Sequence, residues 1–115
     1  MTTEQIILRI WTGRIRTNEQ IDYARYILKT GGDSYASTPG NLGFQIVTRD
    51  RGDGTTDVTT LSWWTSMEAV RAFAGDDPEL ARYYPEDDRY LVQRSTHVEH
   101  HRVLAGGAIP AVPFE

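Results

Sequence analysis

Residues 61–73, LSWWTSMEAVRAF, leave a chain of this length few ways to fold. The alternation that ends at Trp64 is that of a strand, and the spacing of Met67, Val70 and Phe73 is that of a helix. Only Thr65 and Ser66 separate the two. Either can cap the helix, and Glu68 completes a capping box with Thr65. A strand that runs straight into a helix must lay that helix back against its own sheet. Two indoles stand at the corner. Alternation sends Trp63 and Trp64 to opposite faces of the strand, so they do not form one aromatic box. One serves a pocket, the other a packed core or interface.

The remaining elements surround this corner. Gln5 to Gly13 reads as a first strand, with Ile6, Leu8 and Ile10 on one face and Ile7, Arg9 and Trp11 on the other. Bulk on both faces means that both are at least partly covered, by helices on one side and by a second subunit on the other. Thr17-Asn18-Glu19-Gln20 fits a capping box, and a helix follows to about Thr30. Its apolar stripe is Ile21, Ala24, Ile27 and Leu28, flanked by Tyr23 and Tyr26. Gly31-Gly32 is expected to stop it. Thr38-Pro39-Gly40-Asn41 suits a type II turn. Leu42 to Asp50 and Asp57 to Trp64 form a hairpin around a glycine-rich tip, and Arg51-Gly52-Asp53 is read as that tip, not as an adhesion signal. The corner helix ends at Gly75. Asp77-Pro78 can start a short helix, Tyr83 to Asp88 is irregular, and Thr96 to Leu104 is the last strand.

The order is strand, helix, strand, strand, helix, strand. This predicts an α+β class, a ferredoxin-like βαββαβ plan with an antiparallel sheet and both helices on one face. Residues 1–104 form one domain. Residues 105–115 are apolar but rich in glycine and proline, so an extended tail is expected, able to cross to a partner subunit.

The chain has 115 residues, no cysteine and a formal net charge of −4. These values exclude disulfides and thiolate chemistry and offer no basic footprint for nucleic acid. The apolar run at Ile6 to Ile10 is short and broken by Arg9, so no membrane span is expected. No signal peptide is recognisable, which makes the cytoplasm the expected location.

Trp64-Thr65-Ser66-Met67-Glu68-Ala69-Val70 with Phe73 resembles the Trp-x-Ser-x-Glu-Ala signature of antibiotic biosynthesis monooxygenase-like proteins, of the dimeric α/β-barrel superfamily. Ile7 to Trp11, Thr38 to Asn41, Ala72 to Gly75, Tyr83 to Asp88 and Val98 to His100 extend the resemblance. It implies a homodimer whose two sheets face each other in a barrel, with a pocket between sheet and helices in each subunit. It also implies a cofactor-free monooxygenase, or a related small enzyme, acting on an aromatic or polyketide-like molecule. A non-catalytic dimeric binding protein is the alternative. The haem-degrading branch of the superfamily uses an Asn on the first strand and a His in or after the second helix. Neither residue stands at those places here, so haem degradation is set aside.

Candidate residues follow. Trp64 matches the signature and is expected to wall the pocket, where its indole can stack on a flat substrate. His100 falls in the resembling Val-Glu-His block, and a histidine can deprotonate a phenol or carbon acid. His100 and Trp64 are thus the expected catalytic pair. Arg9, Trp11, Tyr26, Trp63, Tyr84 and His101 are the expected substrate contacts, although Arg9 also suits a structural ion pair and the aromatics suit packing. His97, Glu99 and His101 share a face and could hold a metal. Strand spacing alone does not argue for one, and no metal or other cofactor is expected. Asp76, Asp77, Glu86, Asp87 and Asp88 read as caps and solvated loop.

Overall fold

The structure is a computed structural model that describes residues 5–81 and 83–114. Residues 1–4 of the expected domain and Glu115 of the tail lie outside the described residues. Strand β1 is Ile7–Arg16, β2 is Asn41–Asp50 and β3 is Thr55–Trp64. Short strands β4, Leu91–Arg94, and β5, Glu99–Arg102, follow. The sheet is antiparallel in the order β2-β3-β1, and β4 and β5 share the outer edge of β1. β4 pairs around Gly13 and Ile15, and β5 pairs along Ile7 to Ile10. The expected last strand is therefore two pieces, and β4 is an element that the sequence pattern did not suggest. With helices packed on the sheet, this is the ferredoxin-like plan.

The first helical stretch departs from expectation at both ends. A 3₁₀ turn, Thr17–Glu19, leads into α1, Gln20–Ile27. The Thr17 hydroxyl pairs with Thr56 on β3 at 2.8 Å and does not cap. Gln20 Nε2 donates instead to the Thr17 carbonyl. Nor do Gly31 and Gly32 stop the helix. A π-helical turn, Leu28–Gly32, carries it into α2, Asp33–Ser37. The exception has a packing reason. A Cβ on Gly32 would stand 3.3 Å from the tip of the Phe44 ring, so a residue without a side chain lets helix and β2 close together.

The corner behaves largely as its residues suggest. α3 is Met67–Ala74. Ser66 alone supplies the cap, its Oγ accepting the Ala69 N–H at 3.1 Å; its N-cap backbone is extended, as a cap requires. The Thr65–Glu68 capping box is not what closes this turn. Val70 and Phe73 are buried, and Gly75 ends the helix at φ +94°. Gly40 has φ +93°, and the Asn41 N–H reaches the Thr38 carbonyl at 3.2 Å, as the turn reading requires. Asp77-Pro78 starts only a turn, while a four-residue helix α4, Asp87–Tyr90, forms just beyond.

Alternation fixes what each face carries. Ile7, Arg9, Gly13 and Ile15 of β1 are buried under the helices, as are Thr56, Val58, Thr60, Ser62 and Trp64 of β3. Leu8, Ile10, Leu61 and Trp63 are half-buried on the opposite, outer face, with Leu8 opposite Trp63 and Ile10 opposite Leu61. The tail has no regular structure and returns over its own sheet, where the Pro110 carbonyl accepts Gln45 Nε2 at 2.9 Å.

The buried apolar side chains fall into two groups. Ile7, Tyr35, Trp64, Val70 and Phe73 make one. Ile15, Tyr23, Ile27, Val58 and Tyr90 make the other. The space between them holds the candidate site.

Candidate functional site

A cavity of about 60 Å³ lies between sheet and helices. Tyr35 and Phe73 of the first cluster and Tyr23 and Ile27 of the second line it. Arg9, Trp11 and Thr60 rise into it from the sheet, Val98 stands just before β5, and Thr30 and Gly31 come from the π-helical turn. Tyr83, Tyr84 and Asp87 close it from the segment before β4. Its partly exposed wall is Thr30, Gly31, Tyr83 and Tyr84.

The floor depends on one small residue. A Cβ on Gly13 would stand 2.6 and 2.7 Å from Cη2 and Cζ2 of Trp11. The indole therefore folds along β1 over the bare Gly13 backbone. Its Nε1 donates to the Tyr83 hydroxyl at 3.0 Å, and that hydroxyl donates in turn to the Ser95 carbonyl. The strand and the segment above it are thereby joined across the cavity.

Arg9 is 3 % exposed. Its Nη1 donates to the Pro78 carbonyl at 2.5 Å and meets His100 Nε2 at 2.9 Å. Its guanidinium lies over the Phe73 ring, 5.7 Å from the centroid. His100 stands directly opposite Arg9 in the β1–β5 ladder, so both point under the helices. Burial, with the Arg9 charge and then His101 adding to it, pushes the His100 pKa down to about 4. At neutral pH His100 is uncharged, and its Nε2 lone pair is spent on Arg9.

Asp87 is 5 % exposed. Its Oδ2 accepts the Tyr84 N–H at 2.5 Å. Burial holds the carboxyl above the usual carboxylate range, while the Tyr84 N–H and the Arg94 charge pull the other way. Around it, burial and then the Asp87 charge raise the hydroxyl of Tyr23, and take that of Tyr26 to about 12. The Tyr26 hydroxyl is buried and makes no hydrogen bond of good geometry among the described residues. Its polar neighbours are Asp87 and the Glu86 backbone. Tyr35, at the Arg9 end, is also raised by burial, against the Thr60 hydroxyl and the Arg9 charge.

The structure thus brings together Arg9, Trp11 and Tyr84 on the cavity wall, with His100 behind Arg9. Trp64 stands elsewhere. It is fully buried in the first cluster, 5.3 Å from Phe73 and 5.9 Å from Tyr35 between centroids, and its Nε1 is satisfied by Ser62 Oγ at 2.9 Å. It supports the wall from behind. Trp63 and His101 are on the outer face, where His101 Nε2 lies 3.3 Å from Glu99 Oε1. Tyr26 packs beside Tyr23 and Tyr90, off the cavity wall. Asp87, expected in solvated loop, is instead a buried cavity group. Its neighbours Glu86 and Asp88 are exposed, and no periodicity in so short a segment distinguishes the three. Among the described residues no group of three His, Asp or Glu could hold a metal ion, and no helix is long and apolar enough to cross a membrane.

No family model and no curated protein matches the chain. Solved structures do. A protein from Caulobacter crescentus, provisionally named an antibiotic biosynthesis monooxygenase, aligns with TM-score 0.63 at 16 % identity, over 90 % of this chain and 93 % of its own. A haem-degrading protein from Mycobacterium tuberculosis, in a haem-free, cleaved form, aligns with TM-score 0.61 at 16 % identity, over 91 % and 98 %. A Bacillus cereus protein, also provisionally named an antibiotic biosynthesis monooxygenase, gives 0.54 at 15 %, over 91 % and 99 %. At such identities a likeness shows the fold alone. The chain has the fold of the antibiotic biosynthesis monooxygenase-like proteins.

Proposed function

We propose that this protein binds a small aromatic carbon acid in the cavity and oxidises it with molecular oxygen, without a resident cofactor. One observation carries the reading: the gap between the two core clusters exposes aromatic faces together with a buried guanidinium and a buried carboxyl. Pockets that combine an apolar wall with a few convergent, perturbed ionisable groups are the usual sites of ligand binding. An activated methylene that loses a proton becomes an electron-rich anion, which can give its electrons to oxygen directly. The product is a ketone, and the second oxygen atom leaves as water. The provisional names of two of the structural neighbours agree with this class of reaction.

Size narrows the substrate. An apolar cavity of roughly 150 Å³ is known to take benzene, and this one encloses about 60 Å³. A single ring edge enters, and the rest of the ligand lies in the opening beside Thr30, Gly31 and Tyr84. In this reading Arg9, Trp11 and Tyr84 contact the substrate, Trp64 backs the wall and His100 holds Arg9.

A binding-only role is the second reading, and it is favoured by the engaged lone pair and lowered pKa of His100, which remove the expected base. Oxygen consumption with anthrone separates the two. Uptake with one ketone formed per substrate consumed supports oxidation. Calorimetric binding without uptake supports binding alone, and neither signal overturns both.

A further inference from the structure

Asp87 belongs to the acidic run Glu86-Asp87-Asp88, yet it alone turns inward and lines the cavity. Tyr23 and Tyr26 face it from α1, and Tyr83 and Tyr84 from its own segment. Arg94 of β4 is the cation that acts on it, and that guanidinium is already paired with Asp88 and stacked 4.6 Å above Tyr83. Arg9 belongs to the other side of the gap, with Phe73, Tyr35 and His100. A carboxylate on the side of one core cluster and a guanidinium on the side of the other thus border the same small space.

We propose that Asp87 is the proton acceptor of this cavity. The inference rests on the oxidation reading and names the base that His100 does not supply. The substrate C–H bond breaks heterolytically, its electron pair stays on the substrate and the proton goes to the Asp87 carboxylate. The carbanion adds oxygen to give a peroxide, which recovers that proton from Asp87. Asp87 then takes the second proton from the same carbon as the O–O bond breaks. The carbon becomes C=O, and the departing hydroxide takes the proton to become water. One substrate and one O₂ give one ketone and one H₂O, a four-electron oxidation of the methylene. A carboxyl held above its usual range by burial suits this duty, because a base works best when its pKa nears the operating pH.

The test uses the full chain and anthrone in D₂O under argon, with exchange of the methylene protons followed by NMR. Wild type should accelerate exchange. Asp87→Asn should lose at least about 100-fold of that acceleration, the lower range for a general base, and Asp87→Glu should recover part of it. Near-UV circular dichroism reports whether each variant keeps its packing. The wild-type rate should fall as pH drops through the raised Asp87 pKa, and that acid limb should vanish in Asp87→Asn. Exchange under argon without oxygen uptake in air would sink the oxidation reading and leave Asp87 standing. A folded Asp87→Asn that exchanges within threefold of wild type, or a wild type that does not exchange at all, would overturn the proposal.

Discussion

Arg9 Nη1 and His100 Nε2 lie 2.9 Å apart, and only one arrangement of protons makes that a hydrogen bond. A guanidinium has donors and no acceptor, so Nε2 accepts and the His100 proton resides on Nδ1. The imidazole serves the arginine and is not free to serve a substrate through that nitrogen.

This pairing predicts a pH dependence of stability. The His100 pKa falls from 6.5 to about 4 on folding. As pH drops below 6.5 the unfolded chain takes the proton first, so the contribution is complete above that pH and lost on the way down to 4. Because the ring is only half-buried, about 1–2 kcal/mol is expected. Urea unfolding at pH 7 and pH 4.5 should show wild type losing that much more than His100→Gln. Parallel losses in both proteins would contradict it.

The two inward tryptophans should separate by experiment. Trp64→Ala removes a fully buried indole and should cost about 3–5 kcal/mol of unfolding free energy. Trp11→Phe keeps most of the floor but drops the bond to Tyr83, and should cost about 1 kcal/mol. Its larger effect should be on binding of anthrone. Equal stability losses in a urea titration would refute the division between core and cavity wall.

Gly13→Ala should displace an aromatic ring from a distance. Its methyl would enter the space of the Trp11 indole and approach Leu91 Cδ2 at 3.0 Å. Overpacking of this kind costs about 1–3 kcal/mol. Ligand binding should weaken at least tenfold as the floor shifts. Tryptophan fluorescence of the free variant should move as well, and an unchanged spectrum with unchanged affinity would show that the ring does not rest there.

The homodimer that the family resemblance implies is expected to form through the outer face. Leu8, Ile10, Leu61 and Trp63 form an apolar patch on the side away from the helices. Trp63→Glu should halve the mass seen by sedimentation equilibrium at micromolar concentration, with the circular dichroism of a folded chain. A wild type that sediments as a monomer removes that expectation.

Much of the frame was legible because strands declare their faces. Alternation alone put Arg9 and Trp11 on one side of the first strand, and the structure has them together on the cavity side. Ser66 was readable as one of two possible caps, and Gly40 as the residue that a left-handed turn position needs. Other features depended on partners distant in sequence. Trp64 shares the cavity-side face, but Tyr35 and Phe73 close over it, and nothing local to the corner reveals that. Gly31-Gly32 has the composition of a helix stop, and the close approach of Phe44 overrides it. β4 has four residues, too few for a period to show. Asp87 looked like its exposed neighbours because burial of a single carboxylate leaves no mark on composition.

The division of the core has a thermodynamic consequence. Two apolar clusters are packed separately, and the space between them is bordered by both. A molecule seated there touches Tyr35 and Phe73 on one side and Tyr23 and Ile27 on the other, and so becomes a shared packing partner for both halves. Ligand that binds only the folded form raises its stability by mass action, about 2.7 kcal/mol at a hundredfold excess over Kd. In this chain the added stability joins two otherwise separate regions. Amide exchange in α1 and in α3 should therefore slow together on saturation, so that the ligand makes one cooperative unit of two.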